Sequence, residues 1–351
     1  MDMQQLIREN NKTHTVSQEE LQPLMQEANK VFVEHHSPEV FFERSIFINW
    51  TCGIADCKYC YLSTQPKLDK HALRSPASIL AEALVCKLMG WRVGYITGGL
   101  RVESTDYLIT LLNRLEEVLE KKPWMNFGPY THKEVLQLKP HVGGMGSAIE
   151  SFDEDLHNYI CPSKPLKALK RFLGHLDQEG LGKLITIILG IGEKKSDIET
   201  VIKEIATYNI TAVQLCFLKP QENTVFSEVP PPDPDYMSWW IAKLRIAHPK
   251  LIIKVALVRE RMSDIKQYLD AGANGFSRFM VFKDFNTDYA KQLEQGCKDA
   301  NRELQGTFTT LPQNTIKEEV KKLSFDQELK KEIEKKANQY WKRLENNKRK
   351  N

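Results

Sequence analysis

The sequence predicts an α/β protein built as a closed (βα)8 barrel of the TIM type, with a helical extension at each end. Three observations carry this. Short apolar runs alternate with helix-period stretches through the middle of the chain. Eight such runs occur, the number that closes a barrel rather than leaving an open sheet. Several are apolar throughout, as strands covered by helices on the outer face are. The 351 residues suffice for one large barrel or two ordinary domains, and a 41% hydrophobic share can fill a sizeable core.

The expected strands cover residues 46–50, 93–97, 125–130, 143–150, 183–189, 212–218, 251–258 and 275–280. Helix signals fall between them. Ser75 then Pro76 read as an N-cap and first-turn proline, with Gly90 closing that helix. Ser196-Asp197-Ile198-Glu199 reads as a capping box. Pro230-Pro231-Pro232 marks a loop after the sixth strand. Residues 17–33 have the pattern of an amphipathic helix. Residues 317–350, rich in Lys and Glu, read as a solvated surface helix with a basic end. The expected division is an N-terminal helical segment at 1–45, the barrel at 46–285 and a C-terminal helical extension at 286–351.

A net charge of +3 is too weak to argue for nucleic acid, and 27% charged residues suit a globular surface. The longest apolar run, residues 184–191, is too short to span a bilayer. No secretion signal is present and the count of seven cysteines is odd, so disulfides are not expected. These features point to a soluble, cytoplasmic protein.

Three of the cysteines stand together in Thr51-Cys52-Gly53-Ile54-Ala55-Asp56-Cys57-Lys58-Tyr59-Cys60-Tyr61, at the end of the first run. Three thiolates on one tight loop can hold three irons of a [4Fe–4S] cluster and leave the fourth iron without a protein ligand. Such an iron can chelate the amino and carboxylate groups of S-adenosylmethionine (SAM). One electron from the cluster then cleaves the sulfonium to methionine and a 5′-deoxyadenosyl radical, chemistry that the cofactors carry and the protein positions. Tyr59 offers the adenine a flat apolar contact. A structural zinc site is the alternative, but it needs a fourth ligand, usually in a second C-x-x-C knuckle. Here Cys86, Cys161, Cys216 and Cys297 are scattered.

In a (βα)8 barrel the chemistry gathers at the C-terminal ends of the strands. The second ends in Gly98-Gly99, where bare backbone can approach a ligand, or simply turn. The third leads to Tyr130 and His132, candidate substrate contacts or ordinary surface residues. The fourth carries Ser147 and Glu150, a carboxylate suited to the ribose hydroxyls of SAM. The fifth ends in Gly190 and Gly192, where the cofactor could come close. In the sixth, Gln214 and Cys216 share one face, which suggests a lumen that holds a ligand. The last strands carry Lys254, Arg259 and Arg278; buried cations need anionic partners, such as a carboxylate or phosphate on a small substrate, unless they snorkel to the rim.

With these pieces in order, residues 40 to 285 resemble the biotin synthase-like group of radical SAM enzymes. The cysteine loop, Gly98-Gly99, residues 148–156, residues 189–193 and residues 219–224 follow that group's order. The resemblance implies a [4Fe–4S] cluster on Cys52, Cys57 and Cys60, SAM against Tyr59, Gly98, Gly99, Ser147, Glu150 and Gly190, and an electron donor such as ferredoxin or flavodoxin in an anaerobic or well-reduced cell. Two departures matter. The usual loop has three residues between the first two cysteines, and this one has four. Biotin synthase also has auxiliary-cluster cysteines in its barrel; none lies in the third or fifth strand here, so Arg259 has no second cluster to hold. The lengthened interval is similar to the maturase of the methanogen iron hydrogenase (HmdB or HcgA type), which implies a role in making the guanylylpyridinol iron cofactor. The HydE type of [FeFe]-hydrogenase maturase is the rival resemblance. A non-catalytic barrel that carries a cluster as an assembly scaffold is the alternative of another class.

Overall fold

The computed structural model describes residues 2–313 and 315–350. Its strands are β1 (Glu39–Phe47), β2 (Arg92–Thr97), β3 (Trp124–Asn126), β4 (Gly144–Glu150), β5 (Gly182–Leu189), β6 (Ala212–Phe217), β7 (Ile252–Ala256), β8 (Gly275–Ser277) and β9 (Glu303–Gln305). All pair in parallel, and β1 bonds to both β2 and β8, which closes the expected eight-stranded barrel. The short β9, which the sequence reading did not anticipate, adds to the start of β1.

The first strand begins at Glu39 rather than at residue 46. The charged pair Glu43-Arg44 hid it. Both charges are tolerated because both are matched: Glu43 pairs with Lys254 across the lumen, and Arg44 Nε donates to Glu82 Oε1 on the outer face at 2.7 Å. The third strand stops at Asn126, well before residue 130, as Pro129 has no N–H to give a ladder. The eighth stops at Ser277, where Arg278 turns into the left-handed region with φ 64°.

Helices cover the barrel. The ones that matter below are α1 (Met3–Asn11), α2 (Gln18–His35) and α3 (Pro76–Leu88). Ser17 and Ser75 cap α2 and α3 by accepting from Glu20 N and Ser78 N, each at 3.3 Å, worth about 1 kcal/mol per cap. Ser196 makes no such bond; Asp197 instead accepts from Lys194 N at 2.9 Å, so that capping box does not form. The C-terminal helix, Gln327–Lys350, is not a free solvated helix. It lies along α3 and buries Ile333, Ala337 and Leu344, while Arg74 donates to its Tyr340 hydroxyl at 2.9 Å. Among the described residues no helix is long and apolar enough to cross a membrane.

Helix α1, which no sequence signal marked, lies over the C-terminal mouth of the barrel. Its Ile7 is buried against Leu156, Ile188, Cys216 and Leu218. Asn10 and Asn11 donate to the carbonyls of Gly192 and Gly190, each at 2.8 Å. A Cβ on Gly192 (φ 114°) would meet Ile7 Cγ1 at 2.5 Å, so the bare glycine there makes room for α1.

Candidate active site

Side chains alternate across a strand, so every second residue enters the lumen. Ser45, Tyr95, Asn126, Ala148, Thr186 and Gln214 do so, and with residues of the cysteine loop they enclose a cavity of about 420 Å³ at the C-terminal mouth. That lies within the usual range for a small-molecule site.

The loop from Thr51 to Cys60 crosses the ends of β1 and β2. Gly53 N donates to Leu100 O and Lys58 N to Ile160 O, each at 2.8 Å, and Cys60 N turns back to Cys57 O at 3.1 Å. A Cβ on Gly99 would sit 1.8 Å from Thr51 O, so Gly99 is bare because the loop passes directly over it. Buried Asn49 accepts from Gly99 N at 2.8 Å and holds the crossing. Cys52 is buried, Cys57 and Cys60 are half-buried, and all three are free thiols. Burial pushes the Cys60 thiol up to about 11. A hydrogen bond from Cys161 holds Cys57 below the ordinary thiol value. Among the described residues no three such side chains are arranged round a single ion. Three free thiols on one short loop are the donor set that a [4Fe–4S] cluster with one open corner takes.

Glu150 ends β4 with φ 59° and is fully buried at the cavity wall. Lys164 Nζ donates to both its oxygens, at 2.8 and 2.9 Å, and the Tyr59 hydroxyl donates to it as well. Burial works most strongly against the Lys164 ammonium, but Glu150 together with Cys161 and Cys57 holds the pKa above the ordinary lysine value. Burial, then the Glu150 charge, pushes the Tyr59 phenol well up, so it stays a donor. The result fixes the Tyr59 ring at the cavity, one residue from Cys60.

The structure sorts the other expected residues. Gly98, Gln214 and Arg278 line the cavity. Ser147 does not. It points outward and donates to Gly128 O at 3.1 Å. Gly99 serves the loop crossing, and Gly190 (φ 90°) gives its carbonyl to Asn11. Tyr130 leaves the strand and packs on Phe172, ring centroids 6.0 Å apart. His132 opens a helix on the outer surface, bonding Glu179 at 2.9 Å and stacking on His175. Lys254 is spent on Glu43, and Arg259 on Asp284 outside the main cavity. Sequence reading missed Lys164 and Lys219. The signal for Lys164 was available in principle, since a carboxylate buried at a strand end requires a cation nearby.

No family model matches the chain. It is 30% identical to an uncharacterized protein of Methanocaldococcus jannaschii over 299 residues, covering 84% of this chain and 82% of that one. It is 25% identical to the biotin synthase of Thermotoga neapolitana over 264 residues, 72% of this chain and 94% of that enzyme. Among solved structures, methylornithine synthase (PylB) superposes with a TM-score of 0.65 at 18% identity, over 79% of this chain and 86% of that one. The [FeFe]-hydrogenase maturase HydG from Carboxydothermus hydrogenoformans does so at 0.69 and 18%, over 99% and 91%. With a closed parallel barrel and a three-thiol loop at its mouth, the chain is a radical SAM enzyme similar to biotin synthase, with a [4Fe–4S] cluster and SAM as its cofactors.

Proposed function

We propose that the chain abstracts a hydrogen atom from a small organic substrate held in the barrel, in biosynthesis of the [Fe]-hydrogenase guanylylpyridinol cofactor. The observation that carries the radical reading is the cysteine loop hung over the lumen cavity, with Cys60 and Tyr59 in its wall. The hydrogenase role rests on the lengthened first cysteine interval and the wording Trp50-x-Cys52 and Cys57-Lys58-Tyr59-Cys60-Tyr61, which resemble the HmdB or HcgA type, whose own interval is one residue longer.

In this reading Cys52, Cys57 and Cys60 hold the cluster, which supplies the electron for reductive cleavage of SAM. Gly98 lets ligand approach the backbone. Glu150, paired with Lys164, accepts from the ribose hydroxyls, and Tyr59 presents its face to the adenine. Helix α1 and the apolar side chains beneath it exclude water from the β4–β6 side of the mouth. An electron-donor protein of the ferredoxin or flavodoxin class completes the system.

Anaerobic reconstitution, then dithionite and SAM, tests this. Formation of 5′-deoxyadenosine is the expected result. An intact SAM pool on a four-iron protein would instead support a cluster-carrying scaffold.

A further inference from the structure

The cations at the mouth fall into two groups. Lys164, Lys254 and Arg259 each pair with a carboxylate: Glu150, Glu43 and Asp284. Lys219, just past β6, and Arg278, just past β8, pair with none among the described residues. Arg278 donates to the Cys216 thiol.

These two residues also hold a particular place. Beside the main cavity lies a side chamber of about 230 Å³, walled by Leu257, Val258, Met262 and Phe279, with Glu260 and the Arg259–Asp284 pair at its edge. Lys219 and Arg278 line both spaces, and no other residue does. No residue of the cysteine loop reaches the side chamber. Arg278 moreover sits at φ 64°, a left-handed conformation that a non-glycine residue keeps where its surroundings impose it. Both side chains are exposed at the neck between the two chambers, where two cations of this geometry can together take an anion.

We infer that Lys219 and Arg278 anchor a carboxylate of the substrate, with an apolar part of the same molecule in the side chamber. This rests on the reading of the lumen as the substrate chamber, and it names the substrate's class: an amphiphilic organic acid rather than a neutral or cationic molecule. The side chamber takes the end remote from the chemistry, so the reactive carbon stays under the cysteine loop. Phosphate could supply the same charge but not the apolar part.

Binding to the anaerobically reconstituted protein separates these possibilities, with benzoate, benzyl alcohol and inorganic phosphate as probes and ligand-observed NMR as the readout. Benzoate should bind saturably. Benzyl alcohol and phosphate should each bind about tenfold more weakly or worse, matching the loss of one charge-assisted bond. Lys219→Gln and Arg278→Gln should each weaken benzoate about tenfold, and the SAM dissociation constant should not change. Benzoate binding that is absent, or indifferent to both substitutions, overturns the assignment. So does a parallel loss of SAM affinity, which would give the two cations to the SAM carboxylate. Phosphate as tight as benzoate removes the apolar part. A protein that binds benzoate as expected but never cleaves SAM keeps this anion site and loses the radical reading, so the two failures are distinct.

Discussion

The floor of the barrel and its mouth are made of similar residues put to different ends. At the floor, Lys254 closes on Glu43, and Gln214 accepts from both the Tyr95 and Ser277 hydroxyls at 3.1 Å. The charges and the amide there have partners within the protein. At the mouth, Lys219 and Arg278 meet no carboxylate among the described residues, and Ala55, Glu150 and Arg278 all take positive φ. A charge inside a barrel is therefore not in itself a mark of function. Buried paired charges stabilise or specify the fold, whereas the exposed cations at the mouth keep their charge available to a ligand.

The largest break in this comparison is at the mouth. Cys57→Ala should abolish the brown chromophore and all SAM cleavage, since the cluster then lacks one of three thiolates. Cys297→Ala, fully buried away from the loop, should leave iron content and cleavage as they are. Iron analysis and 5′-deoxyadenosine assays on the two variants decide it. Iron lost in Cys297→Ala would reverse the ligand assignment.

The floor should break through stability instead. Lys254→Met leaves the half-buried Glu43 without its cation and should cost about 3 kcal/mol in urea unfolding of the cluster-free chain. Adding Glu43→Gln should restore most of that. Arg278→Met, removing a cation with no partner to orphan, should stay within about 0.5 kcal/mol. Equal losses in the two single variants would erase the distinction between floor and mouth.

Glu150 stands between the two regimes, as its carboxylate is paired yet lines the cavity. Glu150→Gln keeps the shape and removes the charge. SAM affinity should fall by about ten- to a hundredfold, the loss of a charge-assisted hydrogen bond of roughly 1.5–3 kcal/mol, while iron content holds. Anaerobic equilibrium dialysis of SAM measures it; an unchanged dissociation constant would confine Glu150 to its pair with Lys164.

The barrel was legible because apolar runs report burial directly, and β2, β4, β5 and β6 fall where those runs lie. The cysteine loop was legible because its spacing is local. What was hidden depends on pairs far apart in sequence. Glu43 masked a strand because Lys254, which neutralises it, stands 211 residues away. Tyr130 and His132 were expected in the lumen by alternation, but β3 ends at Asn126 and alternation ends with it. Gly99 and Gly190 were expected beside a ligand. Their bareness serves the crossing loop and the turn that docks α1, a use that only the fold can show.

The smallest expected effect is none at all, and it bears on sulfur chemistry. Enzymes of this group that insert sulfur use an auxiliary cluster in the barrel as donor. A [2Fe–2S] centre takes four protein ligands, thiolates in most cases. Among the described residues the only thiol lining the cavity apart from Cys60 is Cys216, where burial pushes the pKa up and the nearby Arg278 pulls it down. Cys161 lies at the end of a helix beside Cys57, and Cys86 and Cys297 are buried in helices outside the strands. No second set of ligands can therefore assemble round Cys216. Cys216→Ala should leave iron and sulfide at about four each per chain after full reconstitution, the content of a single [4Fe–4S] cluster. Two further irons in the unsubstituted protein, lost on that substitution, would instead establish an auxiliary cluster and with it a route to sulfur insertion.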